Sequence, residues 1–231
     1  MITPRNDDTR GKQDHGWLQT AHTFSFADYH DEAHMGFRTL RVLNEDVVAA
    51  QTGFGMHPHR DMEILTWILS GTLTHEDSMG NGTTIRAGEV QVMSAGTGIL
   101  HSEHNHGTEA THLLQIWIRP DRHGITPRYD QRTVDRAAMR DRLVEIAGPV
   151  GSSALVHIHQ DAHILAADLA AGAVVEHALR PSRGAYLQVT KGSVRLGGHL
   201  LSAGSGAAIE GESAVRIEGQ EEAQVLLFDL R

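Results

Sequence analysis

The sequence of 231 residues contains no cysteine. This absence excludes a disulfide framework, a zinc–thiolate or iron–sulfur site and a thiol nucleophile. Histidine, in contrast, occurs 17 times and is scattered along the chain rather than concentrated in one tract. Any metal that the chain binds must therefore be held by imidazole and carboxylate groups, and the spacing of these groups has to identify the site.

Long apolar runs and runs of basic charge are also missing. No apolar stretch approaches the roughly 18 residues of a membrane-spanning helix, and residues 1–12 contain no apolar signal segment. The 29 acidic residues outnumber the 20 lysines and arginines, which gives a formal net charge of −9. We therefore expect a cytoplasmic protein that contacts neither a membrane nor nucleic acid directly.

Short apolar and β-branched segments, separated by glycines, predict a chain made almost entirely of strands. In the first half the predicted strands are 40–50, 63–76, 89–95 and 112–120. A Gly-Asn-Gly turn at 80–82 suits a β-hairpin. The same pattern of short strands and glycines returns after residue 155.

One segment departs from this pattern. The sequence VDRAAMRDRLVEIA at 134–147 predicts a helix, and Pro149 follows it as a helix breaker. We interpret this region as a connection between two β-rich halves. The predicted division is an N-terminal domain at 1–130, a linker with a short helix at 131–152 and a C-terminal domain at 153–231.

The two halves resemble each other. Gly71 and Gly192, which are 121 positions apart, each separate two strand-like segments. Gly88 and Gly204 then match if the hairpin of the second half is five residues shorter. Two copies of one β unit predict an all-β fold of two tandem jelly rolls or barrels, a closed form that avoids loose sheet edges.

The strongest chemical pattern is a pair of short motifs, HPH and HSE. His57 and His59 leave the same face of an extended chain, and His101 and Glu103 do so on a second segment. Two neighbouring strands of this kind would direct three imidazoles and one carboxylate at a single ion. Such a ligand set suits Fe, Mn, Co, Ni, Cu or Zn rather than Ca or Mg. Glu63 shares strand parity with His59, so spacing leaves it open as the acidic ligand.

These motifs resemble those of the cupin superfamily, and specifically of the pirin family. The resemblance covers residues 1–130 densely and the remainder only through strand pattern, and it is greatest toward bacterial pirin-like quercetin 2,3-dioxygenases. It implies two tandem cupin domains, a bicupin. The stretches that carry it are HGWLQTAHTFSFADYHD (15–31), MGFRTLRVLNEDVV (35–48), HPHRDMEI (57–64), EDSMGN (76–81), MSAGTGILHSEHN (93–105) and QIWI (115–118).

The resemblance implies a role for each residue of the two motifs. His57, His59 and His101 match the three imidazole ligands of the family, and Glu103 matches its carboxylate ligand. Glu103 is then also the candidate general base. Many other cupins carry their acidic ligand at the position that Glu63 occupies here. In the pirin pattern, Glu63 is instead a residue that supports the ligands.

The second half keeps none of these ligands. The positions that match His57 and His59 are Ala178 and Arg180, so we expect one metal, bound in the first domain. The second half does contain another pair of histidines with one residue between them. We expect this pair, His157 and His159, to lie on the solvent face of a strand.

The resemblance further implies a function. The expected reaction is a metal-dependent dioxygenation of flavonols such as quercetin, with dioxygen as co-substrate and release of carbon monoxide. The expected cofactor is one divalent transition metal, whether Fe, Mn, Ni, Co, Cu or Zn. The alternative is a redox-sensitive, metal-binding partner of a transcription factor or metabolic enzyme that does not turn over flavonols.

Overall fold

The computed structural model describes all residues from Met1 to Arg231. Its regular structure consists of strands and one 3₁₀ helix of three residues, Asp7–Thr9. This short helix is far below the length of a membrane-spanning helix. The prediction of an all-β chain with few short helices is confirmed.

The strands follow one another with short connections. The first half contains β1 Ile2–Arg5, β2 Gly11–Asp14, β3 Leu18–His22, β4 Leu40–Val48, β5 Thr52–His59, β6 Glu63–Ser70, β7 Thr72–Asp77, β8 Gly82–Arg86, β9 Glu89–Ser94, β10 Ile99–Asn105, β11 Thr111–Ile118 and β12 Arg128–Thr133. The second half contains β13 Val144–Pro149, β14 Val156–Ile158, β15 Ala162–Leu169, β16 Val174–Ala178, β17 Gly184–Lys191, β18 Ser193–Leu196, β19 His199–Ser202, β20 Gly206–Ile209, β21 Ala214–Gly219 and β22 Ala223–Leu230. All four strand segments predicted for the first half are confirmed, with 63–76 divided into β6 and β7.

Two sheets form the barrel of the first half. The larger has the strand order β12-β9-β6-β11-β4-β3-β2, and the smaller has the order β5-β10-β7-β8. Val48 and Ile68 of the larger sheet pack in one apolar cluster with Leu73 and Ile85 of the smaller sheet. Because β5 is an edge strand, β10 is the only strand that pairs with it.

The second half repeats this arrangement. Its sheets have the orders β1-β20-β17-β22-β15-β13-β14 and β16-β21-β18-β19. Gly71 joins β6 to β7 with φ +80°, and Gly192 joins β17 to β18 with φ +67°. Gly88 and Gly204 occupy equivalent turns before β9 and β20, with φ +87° and +83°. The internal repeat that these glycines predict is therefore present, because each half forms a barrel with the same arrangement of two sheets.

The largest apolar cluster joins the two halves. Leu65 and Trp67 of β6 belong to the same core as Leu226 and Phe228 of β22. The first strand also crosses between the halves, since β1 pairs with β20 in the sheet of the second barrel. We propose that the domain division lies between β12 and β13, with β1 contributed to the second barrel.

The helix predicted at 134–147 is wrong. The backbone forms successive tight turns, in which the amide nitrogen of Ala138 donates to the Asp135 oxygen and that of Arg140 to the Ala137 oxygen. The segment then enters β13, which pairs with β15. The apolar side chains that suggested a helical face are instead used by the sheet and the shared core, so tertiary packing overrides the local helix preference.

Candidate metal centre

The site is built on the pairing of β5 with β10. His101 of β10 lies opposite His57 of β5 in the antiparallel register, and Ile99 lies opposite His59. Because side chains alternate along a strand, these pairings turn all three imidazoles to one face of the smaller sheet. An irregularity in the register follows directly, between His101 and Glu103.

Three imidazole rings meet at this point. The potential ligand nitrogens of His57, His59 and His101 all lie within 4.8 Å of one another. Their ring centroids are 4.4 to 4.8 Å apart. His101 is buried, whereas His57 and His59 are half-buried. The cluster thus has a closed inner side at β10 and a more accessible side at β5.

Burial keeps His59 and His101 neutral. Desolvation, together with the neighbouring imidazoles, lowers the pKa of His101 to about 2 and that of His59 to about 4. Burial also lowers the pKa of His75, which lies beside His101. A neutral imidazole has a free lone pair, which is the form that binds a metal ion.

Two atoms indicate which nitrogens are free. The Nδ1 atom of His57 lies 2.8 Å from the carbonyl oxygen of Gly55. A carbonyl only accepts, so this Nδ1 carries the proton and Nε2 carries the lone pair. The Nε2 atom of His101 is buried and has no hydrogen-bond partner in the protein. An unpartnered buried ligand atom beside two further imidazoles fits a bound metal ion.

Glu103 is buried like His101 and lies deeper than His57 and His59. Its carboxylate is buried and accepts hydrogen bonds from Gln115 Nε2 at 2.8 Å and Thr66 Oγ1 at 3.3 Å. Burial raises the pKa of Glu103 to about 7, against the opposing effect of these donors. The carboxylate forms a close group with His101 and His75 rather than with all three predicted imidazole ligands.

Glu63 lies away from the histidine cluster. Its carboxylate accepts a hydrogen bond from Ser94 at 2.7 Å and lies 3.5 Å from His159. The parity argument that linked Glu63 to His59 does not hold, because β5 ends at His59 and the chain bends through Asp61 with φ +48°. Glu63 therefore begins a strand of the other sheet.

The second pair of spaced histidines alternates with buried Val156 and Ile158, as expected for the outer face of a strand, but both histidines are half-buried rather than exposed to solvent. His157 and His159 are both half-buried where the two halves meet. His157 Nε2 lies 3.1 Å from the Ser152 carbonyl oxygen, and His159 approaches Glu63. Contact between the barrels, which a single strand does not reveal, accounts for the difference.

The structure also adds residues that the sequence did not single out. Trp117 stands perpendicular to His59 with ring centroids 4.9 Å apart, and Thr66 and Gln115 hold Glu103. His75 contacts His101 from β7. His75 and Asp77 are separated by one residue on a strand, like the members of the HPH and HSE motifs. This spacing is the sequence feature that could have identified them.

A groove gives access to the cluster from outside. It has a volume of about 530 Å³ and is open to solvent. His59 lines it together with the apolar side chains of Ile99 and Leu100. The remaining lining residues are Pro58, Arg60, Ser78, Thr97 and Gly98.

Known proteins share this chain's sequence and its fold. The sequence profile of the Pirin family matches residues 4–118, and a profile described as the quercetinase C-terminal cupin domain matches residues 145–230. The chain is 48% identical over 231 residues to quercetin 2,3-dioxygenase of Escherichia coli (strain K12), covering 100% of this chain and 99% of that one. It is 40% identical over 230 residues to the pirin-like protein of Caulobacter vibrioides, covering 99% of each.

A solved structure of a bacterial pirin has the same fold as this chain. The crystal structure of the bacterial pirin YhhW from Escherichia coli, in complex with nickel(II), matches with a TM-score of 0.94 and 45% identity. The match covers 100% of this chain and 99% of that one. With its two tandem barrels and these full-length similarities, the chain belongs to the pirin family of two-domain cupins.

Proposed function

We propose that this protein is a metal-dependent dioxygenase that cleaves flavonols such as quercetin. The observation that carries the proposal is the unpartnered Nε2 atom of the buried His101, within 4.8 Å of ligand nitrogens of His57 and His59. The relative from Escherichia coli named quercetin 2,3-dioxygenase, 48% identical over the whole chain, supports the choice of substrate class.

The residues present fit a divalent transition metal. Three imidazoles and a nearby carboxylate are ligands that Fe, Mn, Ni, Co, Cu and Zn accept, and the nickel(II) complex of the related pirin supports this fit. His57, His59 and His101 would hold the ion, with Glu103 as the acidic ligand. Bound there, the metal would supply Lewis-acid stabilisation of negative charge on the substrate oxygen.

Glu103 is proposed to take the proton of the flavonol 3-hydroxyl group. A carboxyl group with a pKa of about 7 is ionised in a substantial fraction of molecules at neutral pH and is still basic enough to accept a proton. Gln115 and Thr66 donate to its two oxygens and so hold the carboxylate in place. The proton removed from the substrate would reside on a Glu103 oxygen.

The groove beside His59 is proposed to receive the flavonol. Its volume of about 530 Å³ accommodates a ligand of that class, and Ile99 and Leu100 provide apolar contact for a planar ring system. Trp117, perpendicular to His59, packs against that imidazole ring. A flavonol oxygen directed at the imidazole cluster would then enter from the side of His57 and His59, which are half-buried.

The test is aerobic turnover of quercetin by protein loaded separately with Fe, Mn, Ni, Co, Cu or Zn. Loss of the near-visible absorbance of quercetin, accompanied by carbon monoxide and absent in metal-free protein, would support the proposal. Tight metal binding without loss of quercetin in any loaded form would contradict it. That result would favour the metal-binding interaction protein instead.

A matched pair of variants tests the role of Glu103. Glu103→Gln keeps the size of the side chain and removes the base, so kcat should fall by about 10²- to 10⁴-fold. Glu63→Gln makes the same change at a buried carboxylate outside the cluster and should retain activity. Metal content is measured first in both variants. If Glu63→Gln lost activity and Glu103→Gln retained it, Glu63 would be identified as the acidic residue of the site.

A further inference from the structure

His75 occupies a buried position directly behind His101. On β7, His75 lies opposite Glu103, and Asp77 lies opposite His101. The side chains of His75 and Asp77 are both fully buried. His75 Nε2 lies 3.0 Å from Asp77 Oδ2, and His75 Nδ1 lies 3.3 Å from His101 Nδ1. These contacts form a continuous chain from a carboxylate through one imidazole to another.

Asp77 acts as an acceptor in every contact that it makes. Its Oδ1 accepts from the amide nitrogens of Met79 at 2.9 Å and Asn81 at 3.1 Å, and its Oδ2 accepts from Asn81 Nδ2 at 2.8 Å. These donors favour the ionised form, which has no proton to give. His75 Nε2 must therefore be the donor in its contact with Asp77.

The remaining protons follow from this assignment. A neutral imidazole that carries its proton on Nε2 has a lone pair on Nδ1, so His75 Nδ1 accepts. His101 Nδ1 must then donate. Its own proton is thereby placed on Nδ1, and the lone pair of His101 lies on Nε2. This is the atom that has no partner in the protein.

We propose that His75 and Asp77 are positioning residues that fix the tautomer and ring orientation of His101, so that its Nε2 is presented to the metal. The inference rests on the proposed binding of metal by His101. Hydrogen bonds to the second nitrogen of a ligand histidine commonly serve this purpose, and here they pass through a second imidazole. His75 is thereby assigned as a support of His101, although it also lies within ligand distance of Glu103.

Packing holds the supporting ring in place. The ring of Tyr129 lies against His75 with centroids 4.7 Å apart, and its hydroxyl is hydrogen-bonded to Thr83. A ring confined between Tyr129 and His101 keeps both of its nitrogens aligned with their partners.

The test compares His75→Phe with His75→Gln in cobalt(II)-loaded full-length protein. Phenylalanine keeps a planar ring and removes both hydrogen bonds, so cobalt affinity should fall by about 10- to 100-fold. Glutamine has a donor and an acceptor and should recover most of the affinity. His199→Phe, which makes the same change at an exposed histidine of β19, is the control and should bind cobalt like the wild type.

Proton NMR of the cobalt protein supplies a readout that simple packing would not change. The wild type should show a slowly exchanging, paramagnetically shifted N–H resonance from His101 Nδ1, which disappears only gradually in D₂O. In His75→Phe this resonance should exchange rapidly or be lost, while His75→Gln should keep it. Asp77→Asn, which retains the size of the side chain, should weaken cobalt binding in the same direction.

The outcomes separate this inference from the proposed function. Wild-type affinity and an unchanged slow resonance in His75→Phe would overturn the positioning role while leaving the metal site intact. Loss of a second equivalent of cobalt in that variant would overturn it too, because His75 would then be a ligand. Failure of the wild type to bind cobalt at all would overturn the proposed function together with the inference.

Discussion

His101 of β10 is the antiparallel register partner of His57 of β5, and their ring centroids are 4.4 Å apart. This single pairing brings together two motifs that are separated by more than forty residues in the sequence. Because β5 is the edge strand of its sheet, β10 is the only strand that pairs with it. The geometry of the candidate metal centre therefore depends on the contact between β5 and β10.

Removing either partner should greatly weaken metal binding. We expect His57→Ala and His101→Ala to weaken the affinity for a divalent transition metal by more than the roughly 100-fold that loss of a supporting residue can cost. His157→Ala, which alters a histidine of the other HxH pair, should bind normally. Metal content after dialysis and competition with a chelator measure the effect. Equal affinities in all three variants would contradict the assigned site.

A small change in β5 should disturb the site through the backbone. A Cβ added at Gly53 would lie 2.3 Å from the carbonyl oxygen of Glu103 and 2.6 Å from the Cα of His104. Gly53→Ala must therefore push β5 from β10, and we expect a loss of about 1–3 kcal/mol in unfolding free energy with weaker metal binding.

Gly55→Ala is the matched control for that change. Gly55 lies on the same strand, and nothing lies within 4 Å of the added Cβ. Its stability and metal affinity should remain close to those of the wild type. If the two variants behaved alike in urea unfolding and in metal titration, the close contact at Gly53 would not be what fixes the site.

Asp46 should make the stability of the metal-free protein depend on pH. Burial raises the pKa of this carboxyl from 3.8 to about 6, although the Thr20 hydroxyl donates to it. A raised folded-state pKa favours folding while the group is protonated, and this contribution is lost as the pH rises through about 6. Asp46→Asn cannot ionise, so its stability relative to the wild type should increase by up to about 3 kcal/mol between about pH 4 and pH 7.

Urea unfolding at a series of pH values measures this difference. Asp28→Asn, which alters an exposed carboxylate, provides the control, and its stability relative to the wild type should change little with pH. If the unfolding free energies of Asp46→Asn and the wild type changed with pH in parallel, the pKa of Asp46 would not be raised in the folded protein.

The two barrels should unfold together. Phe228 of the second half lies in the same apolar core as Trp67 of the first half, and both are fully buried. Phe228→Ala should cost about 3–5 kcal/mol and should lower the urea midpoint seen by tryptophan fluorescence. All three tryptophans lie in the first half, so their fluorescence reports on the barrel that was not mutated.

Leu200→Ala serves as the comparison for Phe228→Ala. Leu200 also belongs to the second half but is 61% exposed, and its loss should cost no more than about 0.5 kcal/mol. An unchanged fluorescence midpoint in Phe228→Ala, with a shifted midpoint by circular dichroism, would mean that the barrels unfold independently.

Local pattern was sufficient to predict much of this molecule. The two-residue period of a strand predicts that His57 and His59 share a face, and the turn glycines Gly71 and Gly192 reveal the internal repeat. These features depend on a few neighbouring residues and on backbone geometry, so the sequence carries them directly.

Features that depend on distant contacts could not be predicted in the same way. The parity argument for Glu63 fails because the chain bends at Asp61, and the helix expected at 134–147 yields to pairing of β13 with β15. The contact between His75 and His101 requires the pairing of β7 with β10. Each of these depends on which strands become neighbours, and single-sequence periodicity does not specify that.

The most direct test of the account compares the wild type, His101→Ala and His157→Ala in one assay. Each protein is loaded with the metal that gives the highest activity in the wild type, and quercetin loss and carbon monoxide release are recorded together under air. We expect the wild type and His157→Ala to consume quercetin with matching release of carbon monoxide, and His101→Ala to do neither. Equal turnover by His101→Ala, or none by the metal-loaded wild type, would contradict the account.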